Sequence, residues 1–270
     1  MTAVLTVFAG IIGLVIGSFL NVVIARVPAG VALTRESQCP RCDVAIRPWQ
    51  NIPLLSWMLL RGRCAGCGEP ISARYPLVEL ATALLFAATG WWVLASEPAS
   101  IATGIVLFLA YAWFAGISVA LTLIDLDTHR LPNVIVVPSI VVIALLLTAA
   151  AILSGDYAAL IRAGIGGASL FAVYFILAFV RPGAMGGGDV KLAAVVGLVL
   201  AWIGWGALIV GAFAAFILGG ILGLALMASR RATRRSAIPF GPWMITGAWV
   251  GIFAGTALAD GYLQLIGVSA

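Results

Sequence analysis

Residues 192–229 read LAAVVGLVLAWIGWGALIVGAFAAFILGGILGLALMAS, without one charged side chain. A helix rises about 1.5 Å per residue, so about 20 apolar residues cross a hydrocarbon core of roughly 30 Å. This stretch is too long for one crossing and tight for two. It breaks at Trp202-Ile203-Gly204-Trp205-Gly206, where glycine permits a turn and tryptophan favours the membrane interface. Two spans joined at that point are therefore expected.

Outward from there, charged residues cut the chain into further uncharged runs at 1–25, 80–96, 98–124, 131–155, 163–180 and 236–259. Each suits one crossing, the second by borrowing residues 75–79. Of the 270 residues, 63% are hydrophobic and 9% charged, whereas a soluble domain carries about 25% charged residues. No compact interior could hide so much apolar side chain. A water-soluble enzyme, a disordered chain and a collagen-like chain are all excluded.

Basic residues orient the spans. With eight crossings and an external amino terminus, the cytoplasmic loops are 26–74, 125–132, 181–191 and 230–235. They hold 14 of the 15 Lys and Arg, with Arg162 the exception. Seven crossings would strand Arg230, Arg231, Arg234 and Arg235 outside, against the positive-inside tendency. The net charge of +5 thus reads as loop asymmetry, and no nucleic-acid partner is expected. The last arginine cluster suits anionic lipid head groups. The first run lacks a basic n-region and a small-residue cleavage site, so it reads as a retained helix rather than a secretory signal. No internal repeat is recognised. The expected fold is an all-α polytopic membrane protein of about eight transmembrane helices, with a small cytoplasmic zinc module between helices 1 and 2. Its expected parts are a first helix at 1–26, the module at 27–74, and a seven-helix membrane domain at 75–270.

The module holds all four cysteines, as Cys39-Pro-Arg-Cys42 and Cys64-Ala-Gly-Cys67. Two Cys-x-x-Cys knuckles at this separation have the spacing of a tetrahedral thiolate zinc site. The reducing cytoplasm argues against disulfides. Iron in the same cage is the alternative metal. A closed four-sulfur site leaves no open position for substrate, so the metal is expected to be structural.

Of the ten acidic residues, Glu79, Asp125, Asp127 and Asp189 fall at the predicted cytoplasmic membrane boundary. An ionisable group there is costly and marks a functional candidate. Asp125 closes the third span; Asp189 opens the sixth, behind Gly186-Gly187-Gly188. The competing reading for Asp189 is a helix-capping residue. Two carboxylates held close together share a proton, and such a dyad can activate water and protonate a peptide carbonyl. Held apart along a pore, the same acids would relay protons or cations in a transporter. A metal-stapled scaffold without chemistry is a third reading. His129, the only histidine, reads as a solvated loop residue.

The chain resembles the type IV prepilin peptidases. The match runs through Gly17-Ser18-Phe19-Leu20-Asn21 with Arg26 and Pro28, the cysteine knuckles, Asn51-Ile52-Pro53, Ser56-Trp57, Arg61-Gly62 and Arg74-Tyr75-Pro76-Leu77-Val78-Glu79. It continues through Leu131-Pro132-Asn133, Gly186-Gly187-Gly188-Asp189 and Pro239-Phe240-Gly241-Pro242. The resemblance implies a Gly-x-Gly-Asp intramembrane aspartic protease with Asp125 and Asp189 catalytic. Asp127, Gly186, Gly188 and Lys191 are auxiliary. It implies a prepilin or pseudopilin substrate, cut after glycine at the cytoplasmic face of the bacterial inner membrane. It also implies a second activity, methylation of the new amino terminus from S-adenosylmethionine. No glycine fingerprint marks a methyl-donor pocket; Arg74, Tyr75 and Glu79 are the candidates for it, against an alternative in which they anchor the module to the second span.

Overall fold

The computed structural model of the chain describes residues 2–181, 185–229 and 239–267. Every regular element among them is helical. They are α1 (Thr2–Arg26), a 3₁₀ turn at Pro48–Gln50, α2 (Leu55–Leu59), α3 (Arg74–Ala95), α4 (Ile101–Thr128), α5 (Asn133–Ser154), α6 (Tyr157–Val180), α7 (Gly187–Ile203), α8 (Trp205–Ala228) and α9 (Gly241–Leu265). Seven of these, α1, α3 to α6, α8 and α9, are long and apolar enough to cross a membrane. The chain is a multi-pass membrane protein.

The eighth long helix is α7, with 17 residues. At 1.5 Å per residue it is about 26 Å long, short of a full crossing by a few ångströms. It packs against α5, α6, α8 and α9 and buries Val190, Leu192, Ala193, Val195, Val196, Val199 and Leu200. The break after Ile203 falls where tryptophan and glycine alternate, and α8 starts at Trp205.

The chain divides into two compact units, Met1–Glu97 with Ala112–Ala120, and Pro98–Tyr111 with Leu121–Ala270. In the first, α1 and α3 pair at close range. A side-chain carbon at Gly13 would stand 2.7 Å from the Ala83 Cα, and one at Gly17 equally close to the Glu79 Cα. Lipid supplies no hydrophobic drive between helices, so small residues four apart permit this contact. In the second unit α8 and α9 meet in the same way. A side-chain carbon at Gly251 would lie 2.7 Å from the Ala207 carbonyl, and one at Gly255 2.6 Å from the Ala207 Cα.

Polar side chains finish several helices. Ser100 accepts the Thr103 N–H at 3.1 Å, and Asp156 accepts the Ala159 N–H at 2.9 Å. Each cap satisfies a donor otherwise left open in the first turn. Helix α6 starts six residues before the uncharged run that defined it, and so includes Arg162. That side chain donates to the carbonyls of Ala201 and Trp202, both at 2.7 Å. The one arginine outside the predicted cytoplasmic loops thereby closes the negative end of α7.

Candidate functional site

The cysteine segment is built twice. Residues 37–46 (SQCPRCDVAI) and 62–71 (GRCAGCGEPI) have matching backbone bonds at an offset of 25. Asp43 N–H reaches Cys39 O at 2.9 Å and Gly68 N–H reaches Cys64 O at 3.0 Å. Cys39 N–H donates to Val44 O at 3.0 Å, and Cys64 N–H to Glu69 O at 2.8 Å. Gln38 bridges Ala45, as Arg63 bridges Pro70. Each knuckle turns through a residue at positive φ, Asp43 at 54° and Gly68 at 73°. Beyond the cysteines only Ile46 and Ile71 are identical between the two halves, because the repeat lives in backbone hydrogen bonds.

The two knuckles bring Cys39, Cys42, Cys64 and Cys67 together, with all four sulfurs within 4.8 Å of one another. The Cys39 and Cys67 sulfurs are 3.8 Å apart. A tetrahedron with arms of about 2.3 Å has edges of about 3.8 Å, so the set can hold a metal ion. The thiols already differ. Amide N–H groups of Cys67 and Gly66 hold Cys64 down to about 6. The Val44 amide lowers Cys42 too, but burial and hydrogen bonding to its three sulfur neighbours prevail and push it up to about 12. Four crowded sulfurs cannot all lose a proton unless a cation joins them.

Arg26, at the end of α1, organises the entry to this segment. Its guanidinium donates to the carbonyls of Leu33 at 2.9 Å, Arg35 and Glu36. Beyond the knuckles, Glu79 on α3 is buried, and its Oε2 accepts the Leu54 N–H at 2.8 Å. Arg74 and Tyr75, at the start of α3, are exposed. The Tyr75 carbonyl accepts the Asn21 side-chain amide at 3.1 Å.

The second unit assembles the aspartates. Asp125, in the last turn of α4, is 4% exposed. Its Oδ2 accepts the Gly241 N–H at 3.1 Å, across 116 positions of chain. A side-chain carbon at 241 would stand 2.7 Å from that oxygen and 3.3 Å from Leu131 Cδ2. Any side chain there would have to displace the Asp125 carboxylate. Asp189 is half-buried in the first turn of α7. Its Oδ2 accepts the Gly186 N–H at 3.1 Å, while Oδ1 is buried with no hydrogen-bond partner. One oxygen of the carboxylate is thus spent on the start of the helix, and the other is left without a hydrogen bond. The two aspartates lie within Coulombic reach of each other.

Leu131 joins the two segments. A side-chain carbon at Gly188 would meet Leu131 Cβ at 2.7 Å, and Leu131 Cδ2 faces Gly241. Gly186 is constrained by Asp189 Oδ2, which a side-chain carbon would approach to 3.1 Å. Gly187 has open space around it. The Gly-x-Gly-Asp spacing follows: the outer glycines are close contacts and the middle one is free. Lys191 Nζ donates to Asn133 Oδ1 at 2.8 Å, tying the starts of α7 and α5. Tyr174, Phe216 and Phe240 form a ring cluster with centroids 5.4 to 6.0 Å apart.

Asp127 is exposed and two residues past Asp125, about 200° around the helix, so it does not share the Asp125 face. His129 is exposed and ends α4 in the left-handed conformation, φ 54°, with its N–H on Asp125 O at 2.8 Å. The arginines at 230–235, expected to meet lipid head groups, lie outside the described residues. Sequence reasoning assigned no role to Leu131, Asn133 or Gly241. Their signal was present in the Leu-Pro-Asn and Pro-Phe-Gly-Pro strings, but what each touches is a tertiary fact.

Residues 11–93 match the family described as Bacterial Peptidase A24 N-terminal domain, and residues 112–224 match the Type IV leader peptidase family. Proteins named prepilin leader peptidase/N-methyltransferase are similar over nearly their whole length. That of Stutzerimonas stutzeri is 35% identical over 94% of this chain and 92% of its own. That of Pseudomonas aeruginosa is 36% identical over 95% and 93%, and that of Aeromonas hydrophila 37% over 93% and 91%. No solved structure matches the chain. With both family segments in order and relatives alike from end to end, the chain belongs to the type IV leader peptidase family.

Proposed function

We propose that this protein is a prepilin leader peptidase and N-methyltransferase of the bacterial inner membrane, acting at the cytoplasmic face by an aspartic mechanism. The substrate is a type IV prepilin or pseudopilin, whose basic leader ends in glycine before an apolar helix. The names of its relatives support the two activities. The observation that carries the aspartic reading is Leu131, packed against Gly188 beside Asp189 and against Gly241, which bonds Asp125.

In this reading one carboxyl of the pair is ionised and the other protonated, since two close carboxylates do not both ionise. The ionised group takes a proton from water as the water oxygen bonds to the scissile carbonyl carbon. The protonated group gives its proton to the carbonyl oxygen. Collapse breaks the C–N bond, leaving a glycine carboxyl on the leader and a free amine on the mature chain; one water is consumed. The Gly241 N–H aims the Asp125 carboxylate, and Asp189 Oδ1 is the oxygen left free to meet water or substrate. Exposed Asp127 acts as an auxiliary acid toward the basic leader, and Lys191 as an auxiliary group that holds Asn133 at the start of α5.

The cysteine set suits structural zinc, which would be held by Cys39, Cys42, Cys64 and Cys67 and would brace the segment they anchor. S-adenosylmethionine supplies an electrophilic methyl group. Transfer to the new amine releases one proton and S-adenosylhomocysteine.

The test incubates purified protein with a prepilin in detergent and reads product mass. Loss of the leader, followed by a gain of one methyl group on adding S-adenosylmethionine, is expected. Asp125→Asn and Asp189→Asn should each slow cleavage by about 10²- to 10⁴-fold, the scale of a lost acid or base. Cleavage that survives both substitutions removes the aspartic mechanism.

A further inference from the structure

The short helix α2 (Leu55–Leu59) has two unlike faces. At about 100° per residue, Ser56, Trp57 and Leu60 fall on one side, and Leu55, Met58 and Leu59 on the other. The first side belongs to the walls of a cleft of about 750 Å³, which also include Asn21, Tyr75 and Glu79. The second side is bare: Leu55 is 48% exposed, Met58 66% and Leu59 73%. Trp49 and Ile52, just before α2, are exposed as well. A folded segment leaves so many large apolar side chains open only where something covers them.

Three observations say what covers this face. The first is depth. The Leu54 N–H, at the entry to α2, donates to Glu79 Oε2 at 2.8 Å. Glu79 lies on α3, one of the helices long and apolar enough to cross a membrane, about 7.5 Å along the axis from Arg74. The apolar faces of interfacial helices sit about 5–10 Å into the head-group boundary. Helix α2 is thus tethered at the level of the membrane surface, where α3 itself exposes Leu77 and Leu80. The second observation is charge. Residues 47–63 (RPWQNIPLLSWMLLRGR) hold Arg47, Arg61 and Arg63 and no acid. Glu36, Asp43 and Glu69, the acids of the cysteine segment, all lie outside that stretch. The three arginines are exposed, and a basic rim around apolar side chains fits an anionic membrane surface. The third is the Arg47 guanidinium, which stands over the exposed Trp49 ring, 5.4 Å from its centroid. Tryptophan favours the interface, and an arginine beside it keeps its stem on apolar surface while its head reaches polar groups.

These observations also separate the bilayer from other partners. At about 7.5 Å, α2 is too short to offer a seam to a partner helix. A basic leader would be repelled by the three arginines. We infer that the face formed by Leu55, Met58 and Leu59, with Trp49, is seated in the membrane surface beside the start of α3, and that Arg47, Arg61 and Arg63 lie on anionic lipid head groups there. In the orientation proposed above this is the cytoplasmic leaflet. The bilayer then holds the outer side of a segment whose inner side is held by Glu79 and the cysteines; neither the cleavage nor the methyl transfer enters the argument.

The experiment uses full-length, metal-loaded protein in nanodiscs of phosphatidylcholine and phosphatidylglycerol in equal parts. Wild-type protein is treated with dilute hydrogen peroxide, and methionine oxidation is read by peptide mass. Met58 should oxidise at least about 10-fold more slowly than a free methionine peptide, the partition expected of a covered side chain. It should then resemble Met244, which is 2% exposed. Oxidation of Met58 at the rate of the free peptide overturns the proposal without any variant. Next, Leu59 is replaced by photoreactive benzoylphenylalanine, metal content is read as the check on folding, and adducts are identified by mass. Lipid adducts support the seat; adducts to added prepilin, or to a second copy of the chain, assign the face to that partner and overturn it. Phosphatidylglycerol adducts should exceed those of phosphatidylcholine by at least about fivefold, the factor for one arginine at an anionic surface. Arg61→Gln combined with Arg63→Gln should bring the two closer to parity. Equal yields of both lipids before those changes overturn the head-group assignment.

Discussion

The cysteine segment and the aspartate pair are both four-part constructions, and they are assembled in opposite ways. The four sulfurs come from a stretch of 29 residues, Cys39 to Cys67, and each knuckle is folded by its own backbone bonds. The aspartates come from α4 and α7, and depend on a loop leucine at 131 and on the first residue of α9. A local device tolerates changes elsewhere and fails through its own ligands. A device made of distant contacts fails through residues that carry no chemistry at all.

The largest effect should come from the local device. Replacing Cys42 and Cys67 together with Ser removes one ligand from each knuckle. Metal content by elemental analysis should fall from one ion per chain to none, and brief proteolysis should then cut within residues 27–74. Structural zinc contributes on the order of 10 kcal/mol to such a segment. A double variant that keeps its metal and its resistance to protease would break the comparison from the cysteine side.

The distant device gives the next largest effect, and glycines report it. Gly188→Ala would drive a carbon into Leu131, and Gly241→Ala would drive one into Asp125 Oδ2. Each should lower prepilin cleavage by about 10²-fold, the cost of misplacing reacting groups by about 1 Å. Gly187→Ala, with open space around it, should cleave within about twofold of wild type, since nothing reacting is displaced. Equal loss at 187 and 188 would mean that the glycines serve chain flexibility rather than close packing. A smaller change is expected at the far end of α7. Arg162→Ala removes two hydrogen bonds from a charged donor, worth about 1.5–3 kcal/mol each at most. The melting temperature in detergent should fall by several degrees while metal content stays at one.

Much of this was legible beforehand, for reasons that differ by region. Hydrophobic run length reports helices well in a membrane protein, because lipid forces backbone polar groups to be satisfied within the helix. The Trp-Gly break at 202–206 was read correctly for that reason. Where α6 began was not, because Arg162 looked like a loop residue until its carbonyl partners at the end of α7 were known. Likewise, Asp189 could be weighed only as cap or catalyst; its two oxygens do different things, which no sequence pattern encodes.

From the chain alone came the multi-pass helical architecture, the knuckle spacing and the choice of Asp125 and Asp189 as the acids worth following. These rest on composition, period and short spacing, all of which act over a few turns of backbone. The tertiary structure alone decided that Leu131 and Gly241 bind the aspartate segments into one end of the bundle, and that a walled cleft surrounds Glu79. Those facts depend on which helices touch, and contact between residues far apart in the chain is set by packing energy that no local window contains.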